Sequence, residues 1–192
     1  MRPIILASQS PRRKSLLEQA ELTFTIRTAH ANEDYPEKME AELVPEFIAG
    51  NKALAVLESL DADSEKDAII IASDTVVILE GEIIGKPVDR ADAIAILKRL
   101  SGQVHKVVTG VVLQSATKKV AFSDTTWVHF LPLTDSQIVY YVDHYQPMDK
   151  AGAYAIQEWI GLIGIEKIDG DFYNVMGLPV NKVLKALDSF AS

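Results

Sequence analysis

The stretch Ile4-Ile5-Leu6-Ala7-Ser8-Gln9-Ser10-Pro11-Arg12-Arg13-Lys14-Ser15-Leu16-Leu17 passes from an apolar run into a helical pattern through a short polar break. The run over 4–8 predicts a buried strand, and residues 11–20 predict a helix. Ser10 suits the N-cap of that helix. Pro11 suits its first position, because it has no N–H to leave unsatisfied there. Arg12, Arg13 and Lys14 then stand in the first turn, where the partial positive charge of the helix dipole repels them. A local rule broken this openly points to a site. Unsatisfied backbone N–H groups, the hydroxyls of Ser8 and Ser10, and two guanidinium forks at one point suit an anion, phosphate above all. A solvated basic turn is the alternative reading.

Working outward, Phe24 to Thr28 alternates like a strand, and 29–41 is a polar, acidic loop. A helix is expected from near Pro45 to about Leu60, then a polar stretch over 61–67. Ala68 to Leu79 is a long apolar run, interrupted at Ser73-Asp74-Thr75. Glu80-Gly81 predicts a hairpin turn into Ile83-Ile84. Asp89 suits the cap of a helix over about 90–100, ended by Gly102. Strands are expected near 104–114 and 119–130 as an antiparallel pair, and a helix over 134–144. Residues 162–168 and 171–176 read as strands joined at Asp169-Gly170, and Pro179 opens a last helix reaching Phe190. Hairpins mixed with helices, without strict βαβ alternation, predict an α/β or α+β protein with a mixed sheet flanked by helices. No repeat or linker divides the 192 residues, which suit one large domain or two lobes sharing a sheet, and a single domain over 1–192 is expected.

A net charge of −8 disfavours a binder of nucleic-acid polymers, although a few gathered basic residues still bind a single nucleotide. No apolar stretch reaches membrane-spanning length, so no membrane partner is expected. The N-terminus lacks the long apolar region of a secretory signal. There is no cysteine, hence no disulfide and no thiolate metal site. These features fit a cytoplasmic protein.

Asp74 follows Ala-Ile-Ile-Ile-Ala-Ser and is at once followed by more apolar residues. It stands at the end of a buried strand or inside it, and a carboxylate there needs a partner, a hydrogen bond or a metal. Glu33 and Asp34 by themselves read as surface charge. Hard carboxylate oxygens beside phosphates suit Mg²⁺, which takes only one or two carboxylates from protein. The four histidines form no metal motif. Lys52, on a helix facing a core through Phe47, Ile48, Ala53 and Val56, and Lys86, in Gly85-Lys86-Pro87, read by themselves as solubilising cations. In Lys150-Ala151-Gly152-Ala153-Tyr154-Ala155-Ile156-Gln157, small residues allow close backbone approach. The Gln157 amide carries donors and an acceptor that match the N3–H and carbonyl edge of uracil or thymine. Trp159 stands nearby as an aromatic that could stack. His105 reads as structural.

Leu6-Ala7-Ser8-x-Ser10-Pro11-Arg12-Arg13-x-x-Leu16-Leu17 resembles the N-terminal signature of the Maf family of nucleoside triphosphate pyrophosphatases. Ala72-Ser73-Asp74-Thr75 is similar to the family's Ala-Asp-Thr motif, with Ser73 where many relatives have Ala. The segment at Lys150 to Gln157 also matches, so the resemblance runs along essentially the whole chain. It implies a fold like that of inosine triphosphate pyrophosphatase, with two lobes and a central cleft. It implies Asp74 as general base, and Glu33 with Asp74 holding a divalent metal, Mg²⁺ or Mn²⁺. Ser8, Arg12, Arg13, Lys52 and Lys86 are implied to bind phosphate. Arg12, Thr75 and Gln157 mark the branch acting on dTTP and UTP, releasing the monophosphate and pyrophosphate. A sister branch acts on 7-methyl-GTP, and Maf-like proteins are also linked to arrest of septum formation, which would make protein partners the main target. A homodimer is implied too.

Overall fold

The computed structural model describes residues 2–61, 65 and 67–190; of the polar stretch 61–67, residues 62–64 and 66 lie outside the described residues. Seven strands form one mixed sheet: β1 (Ile4–Leu6), β2 (Thr25–Ile26), β3 (Ile69–Leu79), β4 (Glu82–Ile84), β5 (Val104–Gln114), β6 (Lys119–Phe130) and β7 (Ile165–Asp169). Their order is β2-β1-β3-β5-β6-β7, with β4 paired to β3. β1 runs parallel to β2 and β3, in register at Ile5 with Thr25 and Ile70. β4 is antiparallel to β3, and β7 to β6. The helices are α1 (Pro11–Gln19), α2 (Val44–Glu58), α3 (Arg90–Leu100), α4 (Asp135–Tyr145), α5 (Trp159–Gly164), α6 (Phe172–Met176) and α7 (Val180–Asp188). The mixed sheet and flanking helices are those expected from the sequence.

The chain divides into two compact units. The first holds residues 1–74, 109–124 and 177–192. Its core joins Ile5 and Ala7 of the first strand segment to Ala49, Ala53 and Val56 of α2 and to Ile70 and Ala72 of β3. Leu16 and Leu17 are buried under α1, worth about 1.5–3 kcal/mol each. Gly110 lets β5 meet the start of α2 backbone to backbone: a Cβ there would stand 2.1 Å from Glu46 N. That contact fixes α2, and with it Lys52. The second unit holds residues 75–108 and 125–176. Its core gathers Val77, Leu97, Val107, Val128, Phe130, Ile138, Tyr141 and Ile160.

Other segments differ from expectation or resolve one that was open. Across the polar interruption of the run from 68 to 79, β3 is continuous through Ser73, Asp74 and Thr75, so Asp74 lies inside the strand and not at its end. Side chains alternate along a strand, so Asp74 continues the row of Ile70 and Ala72. A cationic partner satisfies its carboxylate without breaking the ladder. Residues 172–176 are helix α6 and not a strand, and residues 162–164 belong to α5. Asp171 starts the helix at 172–176, because its carboxylate accepts from Tyr173 N at 2.8 Å and turns the chain. Asn174 then buries its amide, donating to Val107 O and Thr126 Oγ1, both at 3.0 Å. Phe24 to Thr28 forms only the two-residue strand β2, at the sheet edge.

Candidate functional site

In the first unit the Ser10 side chain caps α1 through Arg13 N, and Pro11 opens the helix, as the sequence predicts. Arg13 turns back over that cap. Its Nε donates to Gly177 O at 2.8 Å and its Nη1 to Ser8 Oγ at 3.3 Å. Burial lowers the Arg13 pKa; the charges of Asp74 and Glu33 oppose that shift, while Arg12 adds to it. The basic turn is therefore not simply solvated. Arg13 ties the start of α1 to the segment entering α7, and Ser8 lies buried beside it. Arg12 is half-buried in the same turn.

On α2, Lys52 belongs to the stripe of Ala49, Ala53 and Val56, which faces β3. Its Nζ stands 2.7 Å from Asp74 Oδ1 and 2.9 Å from Glu33 Oε1. The Lys52 and Asp74 side chains are only 20% and 18% exposed, whereas Glu33 is 61% exposed. The reading of Lys52 as a merely solubilising cation gives way, since its ammonium binds two carboxylates from separate elements; Glu33 is a surface residue that reaches it. In the same loop the Asp34 backbone N–H donates to Asn32 Oδ1 at 2.8 Å. Two hard oxygen donors converging on one cation fit the donor set of a divalent ion. Among the described residues no group of three or more metal-ligating side chains occurs. A metal at Glu33 and Asp74 would thus complete its shell with phosphate oxygens and water.

In the second unit, Thr75 is the next residue of β3 and is half-buried. Lys86 follows β4 and is exposed. The Lys86 turn and the 150–157 segment are brought together, since Gly152 N donates to Gly85 O at 3.1 Å. Gly152, at φ +70°, packs on Val77, where a Cβ would come within 2.9 Å of Cγ2. Gln157 is exposed, and its neighbours Ala155 and Ile156 are buried. The Trp159 ring is tilted against Tyr140 at 4.9 Å and packs on the unit's core. Its partner is therefore a side chain of α4.

His105 is structural, as read. It is buried, with Nε2 2.7 Å from Tyr154 Oη and its ring edge-on to Phe130 at 5.2 Å. Burial, with a smaller push from His129, lowers its pKa from 6.5 to about 4. The sequence reading gave no role to Tyr141 or Glu158, which hydrogen-bond to each other beside the Gln157 turn. Tyr141 falls on the apolar stripe of α4 with Ile138 and Val142, so only its core role was legible. Among the described residues no helix is long and apolar enough to cross a membrane.

Residues 3–190 match the family described as Maf-like protein. A dTTP/UTP pyrophosphatase of Bacteroides fragilis is 46% identical over 185 residues, covering 96% of this chain and 94% of that protein. One of Cytophaga hutchinsonii is 45% identical, covering 96% of this chain and 83% of that protein. One of Porphyromonas gingivalis is 45% identical over 97% of this chain and 94% of its own length. Among solved structures, the Staphylococcus aureus Ham1 protein superposes with a TM-score of 0.57 at 15% identity, over 98% of this chain and 99% of that one. That likeness shows the fold alone.

Proposed function

The chain belongs to the Maf-like protein family, and we propose that it is a nucleoside triphosphate pyrophosphatase acting on dTTP and UTP. The observation that carries this reading is the Lys52 ammonium held between Asp74 and Glu33, beside the capped basic turn of Arg12 and Arg13. The full-length similarity to dTTP/UTP pyrophosphatases supports the substrate class.

Glu33 and Asp74 would hold the divalent ion, Mg²⁺ or Mn²⁺. Such an ion supplies charge stabilisation at phosphoryl oxygen and a lowered pKa for bound water. Asp74 would orient the attacking water and accept its proton, as a general base within hydrogen-bond reach does. The water attacks the α-phosphorus, the α–β anhydride bond breaks, and the products are the nucleoside monophosphate and pyrophosphate. Ser8, Arg12, Arg13, Lys52 and Lys86 would bind the phosphates and offset charge that builds on them in the transition state. Thr75 and Gln157 would select the base, with Arg12 assisting. The Gln157 amide would accept from N3–H and donate to a carbonyl of uracil or thymine. Residues 1–192 would act as one functional domain, as a homodimer in the cytoplasm. The exposed apolar side chains Leu43, Phe47 and Leu54 support self-association.

The test is pyrophosphate release with Mg²⁺ from dTTP, UTP, CTP, ATP, GTP and 7-methyl-GTP, with Asp74→Asn alongside. Release from dTTP and UTP, lost by at least about 100-fold in the variant while nucleotide binding persists, is expected for removal of a base. Activity confined to 7-methyl-GTP would overturn the role of Gln157. Undiminished turnover in Asp74→Asn would overturn that of Asp74.

A further inference from the structure

Gln157 sits at the tip of a tight turn. Glu158 N donates to Ala155 O at 3.1 Å, so residues 155–158 form one β-turn with Gln157 at its third position. Both ends of that turn reach the same atom. Ala155 N donates to Tyr141 Oη at 3.1 Å, and Tyr141 Oη in turn donates to Glu158 Oε2. The other Glu158 oxygen, Oε1, lies 3.6 Å from the ammonium of Lys150, a lysine that is itself buried. Lys150 also holds Asp149 Oδ1 at 2.8 Å. Gly161 N closes the following turn onto Glu158 O at 2.9 Å. The segment before the turn is fixed as well. Ala153 adopts φ +56°, a left-handed conformation that costs a non-glycine residue about 1–2 kcal/mol and persists only under external restraint. Tyr154 supplies such restraint through its bond to His105. One exposed amide thus stands on a backbone restrained on both sides.

We propose that Tyr141 is a positioning residue that sets pyrimidine specificity by clamping the turn that carries Gln157. This rests on the reading of Gln157 as the base reader. A planar amide discriminates only when its donor and acceptor are presented in a fixed orientation, because freezing a loose turn on binding consumes the gain. The Tyr141 hydroxyl is suited to that work. It hydrogen-bonds both the first and the last residue of the turn, and it comes from α4, whose Tyr141 ring is fully buried. Base contacts are made equally in the bound ground state and in the transition state. Loosening them therefore raises KM and leaves kcat alone.

The experiment compares Tyr141→Phe, Glu158→Ala, Glu158→Gln, Gln157→Ala and Tyr141→Phe/Gln157→Ala, each as the full chain. Values of kcat and KM are measured for dTTP, UTP and CTP. Tyr141→Phe keeps the packed ring and removes only the hydroxyl. It is expected to raise KM for dTTP and UTP about tenfold, the equivalent of one ordinary hydrogen bond, with kcat within about twofold and CTP little changed. Glu158→Ala should copy that pattern. Glu158→Gln, whose amide oxygen still accepts from Tyr141, should restore most of it. In the Gln157→Ala background, Tyr141→Phe should add nothing further, since there is no amide left to aim. If Gln157→Ala raises the pyrimidine KM but Tyr141→Phe does not, the clamp is overturned and the base reader stands. If Tyr141→Phe lowers kcat for every nucleotide alike, Tyr141 only supports the fold and the proposal fails. If Gln157→Ala itself leaves the KM values unchanged, the base reading fails and the clamp falls with it.

Discussion

Acidification should destabilise this protein through one buried imidazole. His105 sits in the core of the second unit with Nε2 bonded to Tyr154 Oη. Its Nδ1 is buried with no hydrogen-bond partner among the described residues. The imidazolium donates from both nitrogens, and here the second would have no acceptor. Burial therefore favours the neutral ring and lowers the pKa from 6.5 to about 4. Between those values the unfolded chain carries a proton on this side chain and the folded protein does not, so stability rises with pH across that window. The contribution is fully present above about 6.5 and is lost as pH falls through the folded value. At about 1.4 kcal/mol per pH unit it amounts to about 3 kcal/mol over the window. The assay is urea unfolding of the wild type and of His105→Gln at a series of pH values from about 7.5 to about 4. Glutamine keeps a polar partner for Tyr154 and does not titrate. The variant is expected to be less stable at neutral pH, and its stability should fall less steeply below about pH 6.5 than that of the wild type. Parallel pH profiles would refute the assignment of the slope to His105.

Three further outcomes follow from particular contacts. Gly110→Ala should cost about 3 kcal/mol or more, because the added Cβ meets the Pro45–Glu46 backbone, and differential scanning calorimetry would read the lowered Tm. Asn174→Leu keeps the volume but deprives Val107 O and Thr126 Oγ1 of a donor; urea unfolding should show a loss of about 2–4 kcal/mol. Lys52→Gln leaves Glu33 and Asp74 without their shared ammonium. Mg²⁺ or Mn²⁺ should then raise the thermal midpoint of the variant more than that of the wild type; equal shifts would count against a metal held by that pair.

Much of the architecture was legible because it rests on local chemistry. Ser10 and Pro11 set the start of α1, and Asp89 caps α3 by accepting from Asp92 N. Each signal lies within one turn of chain. The misread or open segments are those where distant groups decide over local preference. Asp74 could end a strand or lie inside one until Lys52, 22 residues earlier, is seen to satisfy its carboxylate. Residues 172–176 look extended until Asn174 is seen to anchor a helix on Val107 and Thr126.

The same division applies to the candidate site. The sequence by itself determined the residue types and their order: a basic first turn, a carboxylate within an apolar run, a glutamine after a run of small residues. Those features follow from composition, periodicity and capping, which act over a few bonds. Only the tertiary structure decided their pairing. It joined Glu33 and Asp74 through one ammonium, spent Arg13 partly on Gly177, and put one tyrosine hydroxyl on both ends of the Gln157 turn. The strength of such contacts depends on distance and desolvation between segments far apart in the chain, and neither is encoded in local spacing.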